Sequence, residues 1–296
     1  MSTARSAADI RQSEHASVSG VSGKKVFNID SAGNVLDFQA RDYLLEVARG
    51  NVAGHSLVHK FGANAALSNS MAPIASAMVY QTPTAAVSLE FVSSSAADAL
   101  DDVGMQEITV IGLDANWDEQ TVVMAAHATD GTTAVAISGT WLRVYRAYVS
   151  SSKTYASAAA GSHVGTITIR VASAGATYAE ISLSNGFPMG QSLIGAYTVP
   201  AGFTAYILTQ AFSSDVSGTK TTSFYFFKRP NADDVATPYS GIMRVQNLTV
   251  GTQGIGQFYH DSSEKFLEKT DIGYMGITDA GTFSASVEFE ILLIAN

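Results

Sequence analysis

From Val52 onward the chain repeats one pattern: short runs of alternating apolar and polar positions, separated by turn formers. "AVSLEFVSSS" places Val87, Leu89 and Phe91 on one side. "QEITVIGLD" does the same with Ile108, Val110 and, after a shift, Leu113, and "GTITIRVAS" with Ile167, Ile169 and Val171. Period two marks a strand with one buried face, because successive side chains point to opposite sides of a pleated sheet. "EQTVVMAAH", "TTAVAIS", "TWLRVYRAYVS", "SLIGAYTVPAGFTAYILTQAF", "GIMRVQNLTV", "FLEKTDIGYMGIT" and "FSASVEFEILLIAN" continue the series. Gly, Asn, Asp and Pro punctuate it at short intervals, which predicts an all-β protein built from β-sandwich or jelly-roll-like domains. Nothing alternates strands with helical patterns, so a doubly wound α/β fold is not expected.

Two sandwiches fit the length better than one. The break is expected at "LSNGFPMGQS", where Asn185-Gly186 and Pro188 interrupt the apolar pattern, giving a first domain over 51–185 and a second over 186–296. Residues 1–50 read differently. After a Ser/Ala/Gly-rich start, "KKVFNIDSAGNVLDF" predicts a short hairpin turning at Ser31–Asn34. In "FQARDYLLEVARG", Phe38, Tyr43 or Leu44, and Val47 fall near helical spacing, and Gly50 is placed as the residue that ends the helix. One short helix in an extended arm buries little surface alone. The arm is therefore expected to be an assembly element, with Phe38, Tyr43 and Leu44 as its contacts.

One run breaks the alternation. "SFYFFKRP" puts Phe224, Tyr225, Phe226 and Phe227 on both faces of a strand, so it is expected to be buried on both sides or covered by a neighbouring subunit, with core or interface preferred to a stacking platform. The C-terminal "FEILLIAN" likewise needs cover, because an exposed apolar edge invites strand pairing.

Charge sharpens this picture. Only 15% of the 296 residues are charged, well under the roughly 25% of ordinary soluble domains, which favours a surface shared with other polypeptide. The net charge is −9 and no basic stripe exists, so a nucleic-acid partner is not expected. No cysteine is present, which excludes disulfides and thiolate chemistry. The polar N-terminus lacks the apolar core of a secretory signal, and no apolar run reaches the roughly 18 residues of a membrane span, so neither secretion nor a membrane partner is expected.

The remaining candidates for chemistry are weak. Seven carboxylates lie between Asp98 and Glu119: Asp98, Asp101, Asp102, Glu107, Asp114, Asp118 and Glu119. They sit mainly between apolar runs, where Asp favours turns by bonding the local backbone, and "DANWDEQ" lacks the glycine of a calcium loop. Turns are the preferred reading over a metal or acid–base site. His55 and His59 share one side of either a helix or a strand, but Ser56 occupies the glutamate position of H-E-x-x-H. "GTQGIGQF" carries no lysine and precedes no helical pattern, so it reads as a turn. No catalytic residue, metal or cofactor is assigned.

Several stretches together carry a resemblance: "GNVAGHSLVHKFGANAAL" (50–67), "LEFVSSSAADALDDVG" (89–104), "ITVIGLDANWDEQ" (108–120), "LRVYRAYV" (142–149), "VGTITIRVASAGATYAEI" (164–181), "YTVPAGFTAYI" (197–207), "EKTDIGYMGI" (268–277) and the terminal "FEILLIAN". With these the chain resembles a family of uncharacterised structural proteins of tailed bacteriophages, common in marine phage genomes. The resemblance spans essentially residues 50–296, and none of its motifs encodes a chemistry. Residues 1–49 look like an added arm, since many relatives begin near "GNVAGHS". "DALDDVGMQE" stands where relatives tend to carry a longer glycine-rich loop with a threonine run.

The resemblance implies a virion component without catalytic residues. The function expected is a non-enzymatic, homo-oligomeric structural protein at the neck or tail or on the capsid surface. Its partners would be further copies of itself, a trimer being one arrangement, and other virion proteins. The alternative is a receptor- or glycan-binding module of a tail fibre or capsid decoration, meeting a host surface glycan through Trp117, Phe187 and Tyr239.

Overall fold

The computed structural model describes residues 28–29, 35–36, 40–153, 162–184, 187–234, 243–251, 254–259 and 264–296, excepting the side chains at 28–29, 35–36, 40–42, 184, 187–188, 243–248 and 258–259. The chain forms two compact units, Met1–Arg49 and Gly50–Asn296. In the first, β1 (Asn28–Ile29) pairs antiparallel with β2 (Val35–Leu36) and α1 spans Ala40–Ala48. The expected Phe38 contact lies outside the described residues. Tyr43 and Leu44 on α1 are half-buried, whereas Leu45 is 48% exposed.

The second unit is all-β, as the alternation predicts. Two pairs of antiparallel sheets enclose two apolar cores. The first core lies between a four-stranded sheet and a three-stranded one. The four-stranded sheet contains β5 (Val87–Ser93), β8 (Val135–Trp141), β10 (Ile167–Val171) and β11 (Thr177–Ile181), in the order β11-β10-β5-β8. The other contains β6 (Met105–Leu113), β7 (Glu119–Ala125) and β9 (Arg143–Ser152), in the order β7-β6-β9. Leu89, Phe91, Ile167 and Ile169 face Ile108, Val110, Val144 and Ala147 across it.

The second core lies between two sheets contributed from both ends of the unit. One runs β18-β15-β21-β3, from β18 (Ile255–Tyr259), β15 (Phe203–Ser214), β21 (Phe283–Ala295) and β3 (His55–Leu67), with β19 (Lys265–Phe266) also on β15. The other runs β14-β20-β16-β17, from β14 (Ala196–Thr198), β20 (Asp271–Thr278), β16 (Thr222–Arg229) and β17 (Met243–Val250), with β4 (Ala72–Pro73) on β20. A small pair, β12 (Leu183–Ser184) and β13 (Phe187–Pro188), occupies the expected break.

That break does not separate two consecutive domains. β3, from the first half of the chain, pairs along its length with C-terminal β21, from Leu67↔Phe283 to His55↔Ile294. The reason is edge protection: β21 is apolar and needs a strand on each side, and the early strand supplies one. Over the inner face of β3, at Gly62, the backbone of Gly195 closes in. A Cβ on Gly62 would come within 2.2 Å of Gly195 N and Ile74 O, so only glycine fits there.

The sheet containing β16 has both faces covered. Phe224 and Phe226 enter the second core with Ile272 and Tyr274, while Tyr225 and Phe227 pack into the first with Met275. Phe224, Phe226 and Phe227 are buried and Tyr225 is half-buried within one chain. These aromatics, expected in the core or at a subunit contact, therefore serve the molecule's own middle layer. Phe226 alone meets Phe266, Tyr274 and Phe289 at ring separations of 6.1, 5.1 and 6.2 Å. Phe226→Ala is expected to lower unfolding stability by about 3–5 kcal/mol in urea denaturation, because it would leave a cavity among three buried aromatic rings. Ile255→Ala, at an 81% exposed position, should stay within about 0.5 kcal/mol of the parent.

Candidate functional site

The strongest concentration of polar chemistry lies where the two sandwiches meet. Asp271 opens β20, and its register partners are Arg229 at the end of β16 and Thr198 at the end of β14. Arg143, which opens β9 of the first sandwich, reaches into this row. Arg143 Nε donates to Asp271 Oδ1 at 3.0 Å and Nη2 to Oδ2 at 3.2 Å, a two-pronged pairing. Arg229 Nε donates to Oδ2 at 2.8 Å, and its Nη2 makes a second bond there. Thr198 Oγ1 donates to Oδ1 at 2.5 Å. Because the Thr198 proton is committed to Asp271, the Tyr80 hydroxyl, 2.8 Å from Thr198 Oγ1, acts as the donor in that contact.

Asp271 and Arg143 are 0% exposed and Arg229 is 1% exposed. Taking a charge out of water costs several kcal/mol unless partners of good geometry replace the solvent, and here one carboxylate accepts five hydrogen bonds. The remaining Arg143 amine reaches the carbonyls of Pro83 (2.9 Å) and Leu142 (3.0 Å), and its guanidinium lies 5.0 Å from the centre of the Trp117 ring.

Trp117, expected as a surface recognition residue, is thus buried, at 5% exposure. Its loop explains why. Asp114 Oδ1 accepts from Asn116 N at 2.7 Å and from Asp118 N at 3.0 Å, folding a tight turn that leaves Trp117 at φ 68°. The turn drives the indole from the first sandwich into the second core. Phe187 as a side chain and Tyr239 lie outside the described residues.

A second polar group borders the lock. Lys60 on β3 is 6% exposed, and its Nζ donates to the Tyr145 carbonyl at 2.7 Å. Burial, with Arg146 nearby, lowers its pKa to about 7, against a weaker opposing pull from Glu119. Tyr145 donates its hydroxyl to the Thr198 carbonyl at 2.5 Å and stacks 4.5 Å from Tyr197. Burial first, then Glu119 and Tyr80, push the Tyr197 phenol well above its usual range. Its hydroxyl has no acceptor at hydrogen-bond distance among the described residues.

The acidic stretch divides. Asp102 and Asp114 cap local backbone N–H groups, as turn residues do. Asp98 does something spacing did not reveal. It is 0% exposed and accepts from Met105 N, Val164 N and Gly165 N, each at 2.9 Å, and from Ser93 Oγ at 2.5 Å. It knots three separate loops, and a Cβ on Gly104 would lie 2.2 Å from its carboxylate. His55 and His59 do share one side of β3. His59 Nε2 meets Glu288 Oε1 at 2.7 Å in the open, and His55 Nδ1 contacts the Ala53 carbonyl. Among the described residues no three His, Asp or Glu side chains converge as a metal cage would, and no helix is long and apolar enough to cross a membrane.

No family model matches the chain, and no curated protein matches it. Among solved structures, the particle of infectious bursal disease virus strain Gx is similar at 10% identity, covering 80% of this chain and 71% of that one, with a TM-score of 0.23. T=1 particles derived from infectious bursal virus are similar at 11% identity, covering 82% and 70%, with a TM-score of 0.22. Overlap this shallow distinguishes neither fold nor function.

Two outcomes test this lock. Asp271→Asn leaves two buried guanidiniums without their anion and is expected to lose about 3–5 kcal/mol in urea denaturation. Replacing Asp271, Arg143 and Arg229 together by Leu, Met and Met should cost less than that single change. For Lys60, the folded pKa of about 7 lies below the unfolded value of 10.5, so the unfolded chain holds more protons between them. Its contribution is therefore absent below pH 7 and grows as pH rises. Relative to Lys60→Met, the parent protein should gain thermal stability steadily from pH 7 to about pH 9.5, read as the difference in Tm.

Proposed function

We propose that the protein is a non-enzymatic structural component of a tailed-bacteriophage virion, a homo-oligomer at the neck or tail or on the capsid surface. The observation that carries this reading is where the chain puts its charge. With few charged residues to use, it seals Asp98, Arg143, Arg229 and Asp271 inside at 0–1% exposure, where each fixes strands or loops and none is open to a substrate. Such an arrangement suits a part that bears load. The resemblance of residues 50–296 to phage structural proteins points the same way.

On this reading the subunit contacts do not come from Phe224, Phe226 and Phe227 or from Phe289, Ile291 and Leu293, which line the chain's own cores. They come from the arm of residues 1–50, whose Leu45 is 48% exposed on α1. The glycan-binding alternative draws no support from Trp117, which is buried beneath Arg143.

Labelling purified particles with antibody against the chain, followed by imaging, tests the proposal. Label at regular positions on the head, neck or tail is the expected result. A chain found free in the lysate and missing from purified particles would overturn it.

A further inference from the structure

The outer face of the sheet β18-β15-β21-β3 carries a groove that the proposed function leaves unused. Its floor is one row in register across all four strands: Ile255, Ser213, Ser286 and Ala63. Leu193 forms part of its wall, and two adjoining cavities of about 490 and 400 Å³ share these five residues. Short side chains on the floor create the depression. Ile255 stands at one end with 81% of its surface in water, the most exposed of the large apolar residues described. Four strands at a spacing of about 4.8 Å make the row about 14 Å across, room for about four residues of extended chain. The charged side chains lining the groove, Asp215 and Glu288, are both acidic.

The chain itself contains a complementary segment. Residues 1–27 hold four basic residues, Arg5, Arg11, Lys24 and Lys25, against two acidic ones, Asp9 and Glu14, for a net charge of +2. The other 269 residues carry 13 basic against 24 acidic, a net −11. Small residues and isolated aliphatics, Ile10, Val18 and Val21, fill the segment between its cations. Fully extended, 27 residues reach up to about 90 Å, enough to meet another subunit.

We propose that this groove receives the N-terminal segment, residues 1–27, of a second copy of the chain. An aliphatic side chain of the segment covers Ile255 and Leu193, the small floor residues let its backbone lie close, and its cations face Asp215 and Glu288. The inference rests on the reading of the protein as an assembling subunit and names the surface through which it assembles. Opposite charges also steer the encounter, so association should weaken as salt rises.

The test is sedimentation equilibrium of the full-length chain at low and high salt. It compares the parent with Ile255→Lys, with the doubly reversed Lys24→Glu/Lys25→Glu, and with that double variant combined with Glu288→Lys. All altered positions are exposed or lie in the segment, so circular dichroism and Tm should match the parent. The expected result is self-association weakened at least tenfold in the first two variants and restored in part by the combination. Self-association that persists in both would overturn the groove as the docking surface while leaving the assembly reading in place. A parent chain that is monomeric at every concentration, and missing from particles, would remove both.

Discussion

The Asp271 carboxylate, buried between the guanidiniums of Arg143 and Arg229, is the contact on which the arrangement of this molecule depends. Apolar packing alone tolerates sliding, since one aliphatic neighbour is much like another. A buried charge does not, because a displacement that breaks one bond leaves an ion without solvent or partner. Arg143 belongs to the first sandwich, whereas Arg229, Asp271 and Thr198 end adjacent strands of the second. The ion pairs thereby tie the two halves together.

Around that point the chain is interleaved rather than strung out. The sheet containing β16 and β20 gives one face to each core, so neither sandwich has a complete interior without the other. Trp117 crosses from the first half into the second core, and β3 crosses by pairing with β21. These crossings join the two cores, and the pairing of β3 covers the edge of β21 from within. The Asp98 knot does the same for the loops at the far side of the first sandwich, replacing solvent with three backbone N–H donors and a serine hydroxyl. A chain organised this way spends its polar groups on shape, which is the physical content of the structural role proposed for it.

Much of this was legible in the sequence where the signal is local. Strict alternation at Val87–Phe91 and Ile167–Val171 announced strands with one buried face, and the unbroken aromatics at Phe224–Phe227 announced a strand covered on both sides. The helix at Ala40–Ala48 and the turn at Asp114 follow from spacing and from what an aspartate side chain does to nearby backbone. The buried positions that matter most gave no such signal. Asp98 and Asp102 look alike in a polar run, yet one is sealed and the other caps an exposed turn. Trp117, a lone aromatic in a turn, looked like a surface contact because nothing nearby in sequence shows that an arginine 26 positions later lies over it.

The sequence by itself thus determined the class of structure, the positions of most strands and the faces they bury, because side-chain periodicity and turn chemistry act over a few residues. Only the tertiary structure decided which strands are neighbours, which polymer covers the aromatic strand, and which charges are buried. Those outcomes depend on contacts between residues as far apart as Arg143 and Asp271, 128 positions along the chain, and no local pattern encodes a partner at that distance.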